Sequence, residues 1–256
     1  MTKSIKNFKK YRFLLMELTK KEIKLKYRRS YLGILWTMIE PILTTIVLTL
    51  VFTKMLNRGK EAYYPVYILT GRLLYSFFSN ATKTAMKSIN NNSTMIKKVY
   101  VPKYIYPLSS VLSSYITFLI SMIVLFGAAL VFRVKPTYQI FYAVIPLFLL
   151  LILAIGMGLI LSTLAVFFRD IEYLWGVLLM LIMYMSAIFY KASDVEAQWI
   201  FYFNPLYYII VNFRNAFFGT PMDMQAFVIS AVYSFGSLLI GIVLFYKKQD
   251  KFILNI

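Results

Sequence analysis

The segment KKEIKLKYRRSYLGILWTMIEP, residues 20–41, places a dense group of basic residues directly before the first long apolar stretch. Its first ten positions carry six Lys or Arg residues, and residues 30–53 carry none. Such a step in charge marks the cytoplasmic end of a membrane span. The segment therefore predicts a chain that enters a bilayer here, with Gly33 as a flexible joint and Glu40-Pro41 as a carboxylate and a helix kink inside the span.

Composition supports a multi-pass membrane protein. Of the 256 residues, 60% are hydrophobic, and the mean hydropathy is +0.69. Soluble domains are closer to half apolar. The net charge of +18 does not favour a nucleic-acid partner, because the cations stand at the ends of apolar stretches and form no single basic surface.

The chain contains neither His nor Cys. This excludes imidazole bases, thiolate nucleophiles, disulfides and Cys or His zinc sites, and we expect no metal or other cofactor in this chain. The one Gly-Lys pair, Gly59-Lys60, lacks the glycine and the hydroxyl residue of a phosphate-binding loop. We therefore expect no ATP site and no enzymatic activity in this chain.

The apolar stretches predict an all-α fold with six transmembrane helices. The predicted spans are residues 34–52, 65–85, 107–132, 140–168, 173–190 and 227–246. An even number of spans puts both termini on one side of the membrane. Most of the 28 Lys and Arg residues then fall on that side, which predicts cytoplasmic N- and C-termini.

The predicted organisation has three parts. Residues 1–33 form a cytoplasmic amphipathic interface helix and a gate element, residues 34–246 the transmembrane domain, and residues 247–256 a cytoplasmic tail. Inner coupling loops are predicted at 86–106, with a short helix of its own, and at 167–174. In the first helix Phe8, Tyr11, Leu15 and Leu18 share one face, although Glu22 also falls on it. The alternative is a basic tail that only anchors the chain.

The outer segment 191–226 is rich in aromatic residues and is interrupted at Asn204-Pro205 and at 219–221. Neither half is long enough to cross a bilayer as a helix. We predict a pair of short outer re-entrant helices that act as a gate. The alternative is an aromatic belt at the membrane interface without a gating role.

Four segments resemble one known family. KYRRSYLGILWTMIEP, IKKVYVPKYIYPLS, FFRDIEYLWG and FNPLYYIIVNFRNAFFG are similar, in this order, to the permease subunit of type-2 ATP-binding-cassette exporters. Within that family the chain is most similar to permeases that export lipid-linked polysaccharide, such as O-antigen or teichoic acid. The resemblance implies a homodimer in the cytoplasmic (inner) membrane and two copies of a separate ATPase subunit, which holds the ATP and Mg.

The resemblance also implies roles for particular segments. The gate element is residues 26–33, the coupling elements are 88–103 and 167–172, and the outer gate is 199–219. The coupling candidates are Lys97, Lys98, Tyr100, Lys103, Arg169, Asp170 and Glu172. The outer-gate candidates are Asn204, Pro205, Tyr207 and Tyr208. Glu40 departs from the family pattern, in which a neutral residue precedes the proline.

Substrate contacts are predicted at two places. Arg28 and Arg29, with Tyr31 and Gly33 beside them, are candidates to bind the diphosphate of a lipid-linked glycan, because guanidinium groups bind phosphate oxygens in pairs. The alternative is simple anchoring by positive charge. Candidates for the lining of the conduit are Glu40, Tyr75, Phe78, Tyr184 and Phe189. Aromatic rings can stack on sugars, but they can equally face lipid or neighbouring helices.

Two other functions remain open on the sequence. A type-2 permease for small amphiphiles such as drugs or lipids would have the same spans. A membrane-embedded glycosyltransferase or acyltransferase would need clustered catalytic carboxylates, and Asp170 with Glu172 is the close pair on the predicted inner loops.

Overall fold

The structure is a computed structural model that describes residues 2–28, 30–55, 63–99, 101–135 and 137–255; the side chains of residues 2–10, 55, 194 and 255 are outside the description. The regular structure in these ranges is helical throughout, which confirms the predicted all-α fold.

The helices follow one another through the whole described chain. They are α1 (Thr2–Tyr27), α2 (Trp36–Leu50), α3 (Tyr64–Asn91), α4 (Ser93–Lys98), α5 (Ile105–Val131), α6 (Val144–Phe167), α7 (Ile171–Tyr184), α8 (Trp199–Tyr202), α9 (Pro205–Phe218), α10 (Met224–Lys248) and α11 (Phe252–Asn255). Short 3₁₀ turns lie at Gly33–Leu35, Tyr138–Ala143, Ala192–Asp194 and Gln249–Lys251, and a π turn lies at Val51–Met55.

Four helical stretches of the described chain are long and apolar enough to cross a membrane. They are Gly33–Lys54, Ile105–Val131, Tyr138–Phe167 and Met224–Leu254. The other two predicted spans correspond to α3 and α7. Helix α3 has 28 residues but carries many polar ones, and α7 has only 14 residues, which makes it about 21 Å long.

Helix α3 is the centre of the bundle. It packs against α2, α5, α6, α7 and α9, and most of its apolar side chains belong to one large buried core. The predicted inner loop at 86–106 therefore begins inside a helix, because α3 continues to Asn91. Asn92 then donates a hydrogen bond to the Ser88 carbonyl at 2.8 Å, and α4 is the short helix expected in this loop.

Helices α6 and α10 approach each other closely through two glycines. A methyl group at Gly156 would lie 2.5 Å from the backbone nitrogen of Leu238, and one at Gly241 would lie 2.6 Å from the carbonyl oxygen of Gly156. Small residues allow this contact between backbones, as is common between membrane helices.

A second, smaller core joins the ends of several helices. Leu15 and Leu18 of α1 pack there with Ile96 of α4, Phe245 of α10 and the fully buried Phe252 of α11. We call this side of the bundle, with α1, α4 and α11, the basic end. The opposite end comprises the start of α3, residues 132–137, residues 187–192 and α9.

The predicted fifth span is too long. Helix α7 ends at Tyr184, and residues 185–190 form turns in which Ala187 has a φ of +48°. An alanine in this left-handed conformation is uncommon and needs fixed neighbours to hold it. The carbonyl oxygens of Ala187 and Ile188 accept hydrogen bonds from Arg214, which stabilises this turn.

Candidate functional site

One face of α3 is polar and is left uncovered by the rest of the chain. Arg72, Ser76, Asn80, Lys83 and Lys87 follow each other at spacings of three or four residues, and each is at least partly exposed. Such spacing places them on one side of the helix. The positions between them are mostly buried, so the exposed side of this central helix is its polar side.

Two neighbouring helices, α5 and α2, present polar side chains to this face. On α5 they are Ser110, Ser113, Ser114, Thr117 and Ser121. On α2, Thr37, Glu40 and Thr44 lie at matching spacing. Each of the three helices therefore contributes polar side chains to the space between them.

This space consists of two cavities that meet. The basal cavity, of about 1090 Å³, lies between α1, α3, α5 and α7. The deep cavity, of about 290 Å³, lies between α2, α3 and α5. Both are lined by Lys26, Asn80, Ser114 and Thr117. We refer to the two cavities together as the polar groove; it leads from the basic end into the bundle.

Glu22 occupies the wall of the basal cavity. Its carboxylate accepts hydrogen bonds from Ser109 at 3.2 Å, Ser110 at 2.9 Å and Ser113 at 2.8 Å. Burial raises the pKa of Glu22, while the three hydroxyls and Lys21 act in the opposite direction. The sequence identified Glu22 only as a misfit on the apolar face of α1, and the serines of α5 explain that misfit.

Glu40 is exposed and lines the deep cavity together with Arg72. Partial burial lowers the pKa of Lys26, and the negative charge of Glu40 offsets part of this lowering. Glu40 thus faces the groove with a cation on the neighbouring helix α3 and another on α1.

Helix α7 is attached to α3 at several levels. Lys87 forms an ion pair with Glu172 at the basic end. Further along, Trp175 donates to Thr82 at 3.1 Å. The Tyr75 hydroxyl donates to the Leu179 carbonyl at 2.9 Å, and Arg72 contacts the sulfur of Met183 at 3.5 Å. These contacts join the start, the middle and the end of α7 to the polar helix α3.

The five predicted lining residues do not form a single group, although the ring centres of Tyr184 and Phe189 lie 6.4 Å apart. Tyr75 and Phe78 are buried between α3 and α7, where Phe78 packs against Trp175. Phe189 is buried and stacks on Phe52 with ring centres 5.4 Å apart. Tyr184 is 53% exposed. Of the five candidates, Glu40 is the one that lines the polar groove.

The predicted gate element is a bend between α1 and α2. Arg28 is exposed and Tyr31 fully so, whereas Arg29 lies outside the described residues. Gly33 has a φ of +51°, a conformation that glycine adopts without strain, and its backbone N–H donates to Ser30 Oγ at 3.2 Å.

Most of the predicted coupling residues are accessible at the basic end. Lys97 and Lys98 of α4 and Arg169 and Asp170 before α7 are exposed, and Tyr100 lies outside the described residues. Glu172, as described above, pairs with Lys87.

Lys103 has a different environment from the other coupling candidates. Its ammonium group donates to the Gln249 carbonyl at 2.5 Å and lies 5.8 Å from the ring centre of Phe252. Burial lowers the pKa of Lys103, and Asp250 partly offsets this. Lys103 therefore attaches the C-terminal segment, which the sequence predicted to be a simple tail, to the loop before α5.

The predicted outer-gate residues hold α9 in place. Asn204 caps α9 by accepting from the Leu206 N–H at 3.1 Å, and its amide donates to Ser186 at 2.8 Å. Pro205 is the first residue of the helix. Tyr207 stacks on Phe201 with ring centres 4.9 Å apart, and Tyr208 is buried.

Arg214 of α9 is a key residue that sequence reasoning missed. Its guanidinium is buried and donates to the carbonyls of Tyr67, Ala187 and Ile188 at 2.9 to 3.1 Å and to Thr70 at 3.3 Å. It thereby connects α9, α3 and the turn after α7. In the sequence, the feature that indicates this role is a single arginine in an apolar segment, because such a charge needs partners inside the protein.

The fold and the groove define a polytopic membrane protein with a polar path inside its helical bundle. Comparison with known proteins identifies it more closely: residues 14–218 match the ABC-2 type transporter family, and the chain belongs to that family.

Several characterised members of this family are similar over nearly the whole chain. An O-antigen export system permease protein RfbA of Klebsiella pneumoniae is 30% identical over 246 residues, 93% of each chain. The protein of the same name from Myxococcus xanthus is 23% identical over 257 residues, 98% of each chain. The capsule polysaccharide export inner-membrane protein BexB of Haemophilus influenzae is 25% identical over 233 residues, 88% of this chain and 86% of that protein.

Proposed function

We propose that this chain is the membrane-spanning permease subunit of an ATP-driven exporter that moves a lipid-linked polysaccharide across the cytoplasmic membrane. Its basic end faces the cytoplasm, where a separate ATP-binding-cassette ATPase binds and hydrolyses MgATP. Membership of the ABC-2 type transporter family and the similarity to export proteins for O-antigen and capsule polysaccharide support this proposal.

The polar groove is the observation that carries the proposal. Polar and charged side chains within a membrane protein are costly unless they face water or one another. A face with Arg72, Asn80 and Lys83, opposite the hydroxyls of α5, suits hydrated sugars and phosphates and does not suit lipid tails. We therefore assign the polysaccharide path to this groove. The candidates for the diphosphate stay Arg28, which directly follows the lining residue Tyr27, and Arg29, which lies outside the described residues.

A second copy of the chain fits the same surface. The polar side of α3 and the side of α2 that carries Glu40 are open in the single chain. A second copy facing this side would separate the groove from lipid and complete a conduit between the two chains. We propose a homodimer with two ATPase subunits on this basis.

The ATPase would dock on the exposed residues of the basic end. Helix α4 presents Lys97 and Lys98, and the turn before α7 presents Arg169 and Asp170. Movement of that turn would reach α3 through the pairing of Lys87 with Glu172. This connection links ATP hydrolysis to the groove.

The experiment replaces Asn80, where the two cavities meet, with tryptophan. Asn80 is exposed, so Asn80→Trp should insert and fold normally but obstruct the groove. In cells that depend on this chain, we expect most surface polymer to be lost and lipid-linked polymer to accumulate inside. Met180→Trp, which places the same side chain on the exposed side of α7, is the matched control and should export normally.

Wild-type export by Asn80→Trp at normal abundance would contradict the assignment of the groove. Unchanged polymer levels in cells that lack the chain, together with loss of resistance to amphiphilic drugs, would instead identify an exporter of small amphiphiles.

A further inference from the structure

A third cavity lies at the opposite end and is separate from the polar groove. It has a volume of about 800 Å³ and is bounded by the start of α3, the connection after α5, the turn after α7 and the end of α9. Four basic residues line it: Arg133, Lys135, Lys191 and Arg214.

The lining contains no acidic residue in the part of the chain that the structure describes. Arg133 and Lys135 are exposed at the rim, and neither pairs with a described carboxylate. Arg214 is 7% exposed; it donates to three carbonyls and one hydroxyl, and its guanidinium lies 3.5 Å from the ring centre of Tyr67. These groups are uncharged, so they solvate its charge but do not neutralise it. Several cations around a concave, weakly polarisable wall produce a focused positive potential.

The remaining walls combine aromatic rings with small polar groups. Tyr63 and Phe218 contribute rings, and so do Tyr67 and Tyr207, each of which has one face covered, by the Arg214 guanidinium and by Phe201 respectively. Thr137, Asn215 and Thr220 contribute hydroxyl and amide groups. Rings of this kind stack on the apolar faces of sugars, and the polar groups can bind sugar hydroxyls. A simple inorganic anion would use the cations alone, whereas this cavity also provides surfaces for a sugar ring.

We propose that this cavity binds an acidic sugar, one that carries a carboxylate or a phosphate, as the polymer leaves the bundle. The proposal rests on the function proposed above for the source of the ligand, and it adds that the exported glycan is anionic. Arg133 and Lys135 bind the acidic group at the rim, and Arg214 contributes long-range charge from the wall. The site then favours release of acidic polymer toward the opposite end.

The test measures equilibrium binding of a defined oligogalacturonate to the purified full-length chain in phosphatidylcholine nanodiscs, without the ATPase. A neutral maltooligosaccharide of equal length is the comparison. We expect clear preference for the acidic probe, and binding about tenfold weaker in Arg133→Asn/Lys135→Gln, because two charge-assisted contacts are lost. Lys54→Gln removes a basic residue at the same end but outside the cavity and should bind like wild type.

A cysteine placed in the cavity locates the binding site. The natural chain has no cysteine, so Thr220→Cys in the cavity and Gln198→Cys outside it each carry one thiol. The acidic probe should protect the first from a thiol reagent and leave the second reactive.

Equal binding of both oligosaccharides, unchanged binding by the double variant, or equal protection of both cysteines would overturn the proposal. So would loss of probe binding in phosphatidylglycerol nanodiscs, since a lipid headgroup would then occupy the site. Because no transport is measured, a negative result here leaves the proposed export function intact, and failed export does not affect this test.

Discussion

At the scale of single residues, Glu22 shows how a buried carboxylate makes the docking of α1 sensitive to pH. Its pKa is raised in the folded chain, so the folded state binds the proton more tightly than the unfolded state does. Stability from this group is therefore greatest below its ordinary pKa. This contribution to stability falls as the pH rises through the raised pKa, because burial destabilises the ionised carboxylate.

We predict that Glu22→Gln removes this pH dependence, because the glutamine oxygen can still accept from Ser109 and Ser110, its NH2 group can donate to Ser113 Oγ, and the side chain does not titrate. The protection factors of the α1 amides, which are the observed hydrogen-exchange rates corrected for the intrinsic rate at each pH, should fall from acidic to neutral pH in the wild type and stay flat in the variant. Glu17→Gln, on the exposed side of α1 in a surface ion pair with Lys20, is the control and should behave like wild type. Equal pH dependence in all three proteins would show that Glu22 does not control docking.

Arg214 provides a second prediction at this scale through its neighbour Gly71. A methyl group on Gly71 would lie 2.7 Å from Arg214 Nη2, which is too close for contact. We expect Gly71→Ala to displace the guanidinium and leave buried carbonyls without a donor. This should lower the free energy of unfolding by about 2 to 4 kcal/mol. Gly127→Ala is the matched control, because nothing lies within 4 Å of its added methyl group.

The measurement is the apparent unfolding temperature of each variant in the same detergent. Gly71→Ala should unfold at a clearly lower temperature than the wild type, and Gly127→Ala at nearly the same one. If Gly71→Ala matched Gly127→Ala, the guanidinium would not be essential for joining α9 to α3.

At the scale of elements, the packing of α7 on α3 buries some of the aromatic residues and leaves others exposed. Tyr75 and Phe78 face α7, and Tyr184 at the end of α7 is exposed. The sequence grouped all three as lining candidates. Their environments predict different outcomes when each is replaced.

We expect Phe78→Ala to lower the free energy of unfolding by about 3 to 5 kcal/mol, because it leaves a cavity in the core beside Trp175. Tyr75→Phe loses one hydrogen bond, to Leu179, and should cost about 1 kcal/mol. Tyr184→Ala should leave the amount of folded protein unchanged. The amount of each variant in membranes, together with its unfolding temperature, checks this order. Normal abundance and stability of Phe78→Ala would argue against the packing of α3 on α7.

At the scale of the whole molecule, the charge distribution sets the orientation. The basic end carries α1, α4 and the end of α10, each with lysines near its last turn. Positive residues are retained on the cytoplasmic side during insertion. We therefore expect the opposite end, with α8 and α9, to face outward.

Single cysteines test this orientation in intact cells with an impermeant thiol reagent. Thr94→Cys on α4 should be shielded and Gln198→Cys before α8 should react; both positions are exposed in the chain. After the cells are permeabilised, both should react. Labelling of Thr94→Cys in intact cells would reverse the orientation and the proposed direction of export.

The sequence by itself determined the helical class, the apolar helices, the short helix α4, the helix pair in the aromatic segment and the family resemblance. These follow from local features: hydrophobic length, charge at helix ends, and breaks such as Asn204-Pro205. It overestimated the length of the fifth span, because the apolar residues 185–190 form turns that depend on distant partners in α9.

Only the tertiary structure decided which face of each helix is covered. Helical spacing shows that Arg72, Asn80 and Lys87 share a side of α3, but not that α2 and α5 place hydroxyls and Glu40 around it. Helical spacing also does not show that Glu22 accepts hydrogen bonds from three serines more than 80 residues away. Nor does it show that Arg214 donates to carbonyls of two other segments. Burial and hydrogen bonding between distant segments depend on how the helices pack, and periodicity within one helix carries no information about its neighbours.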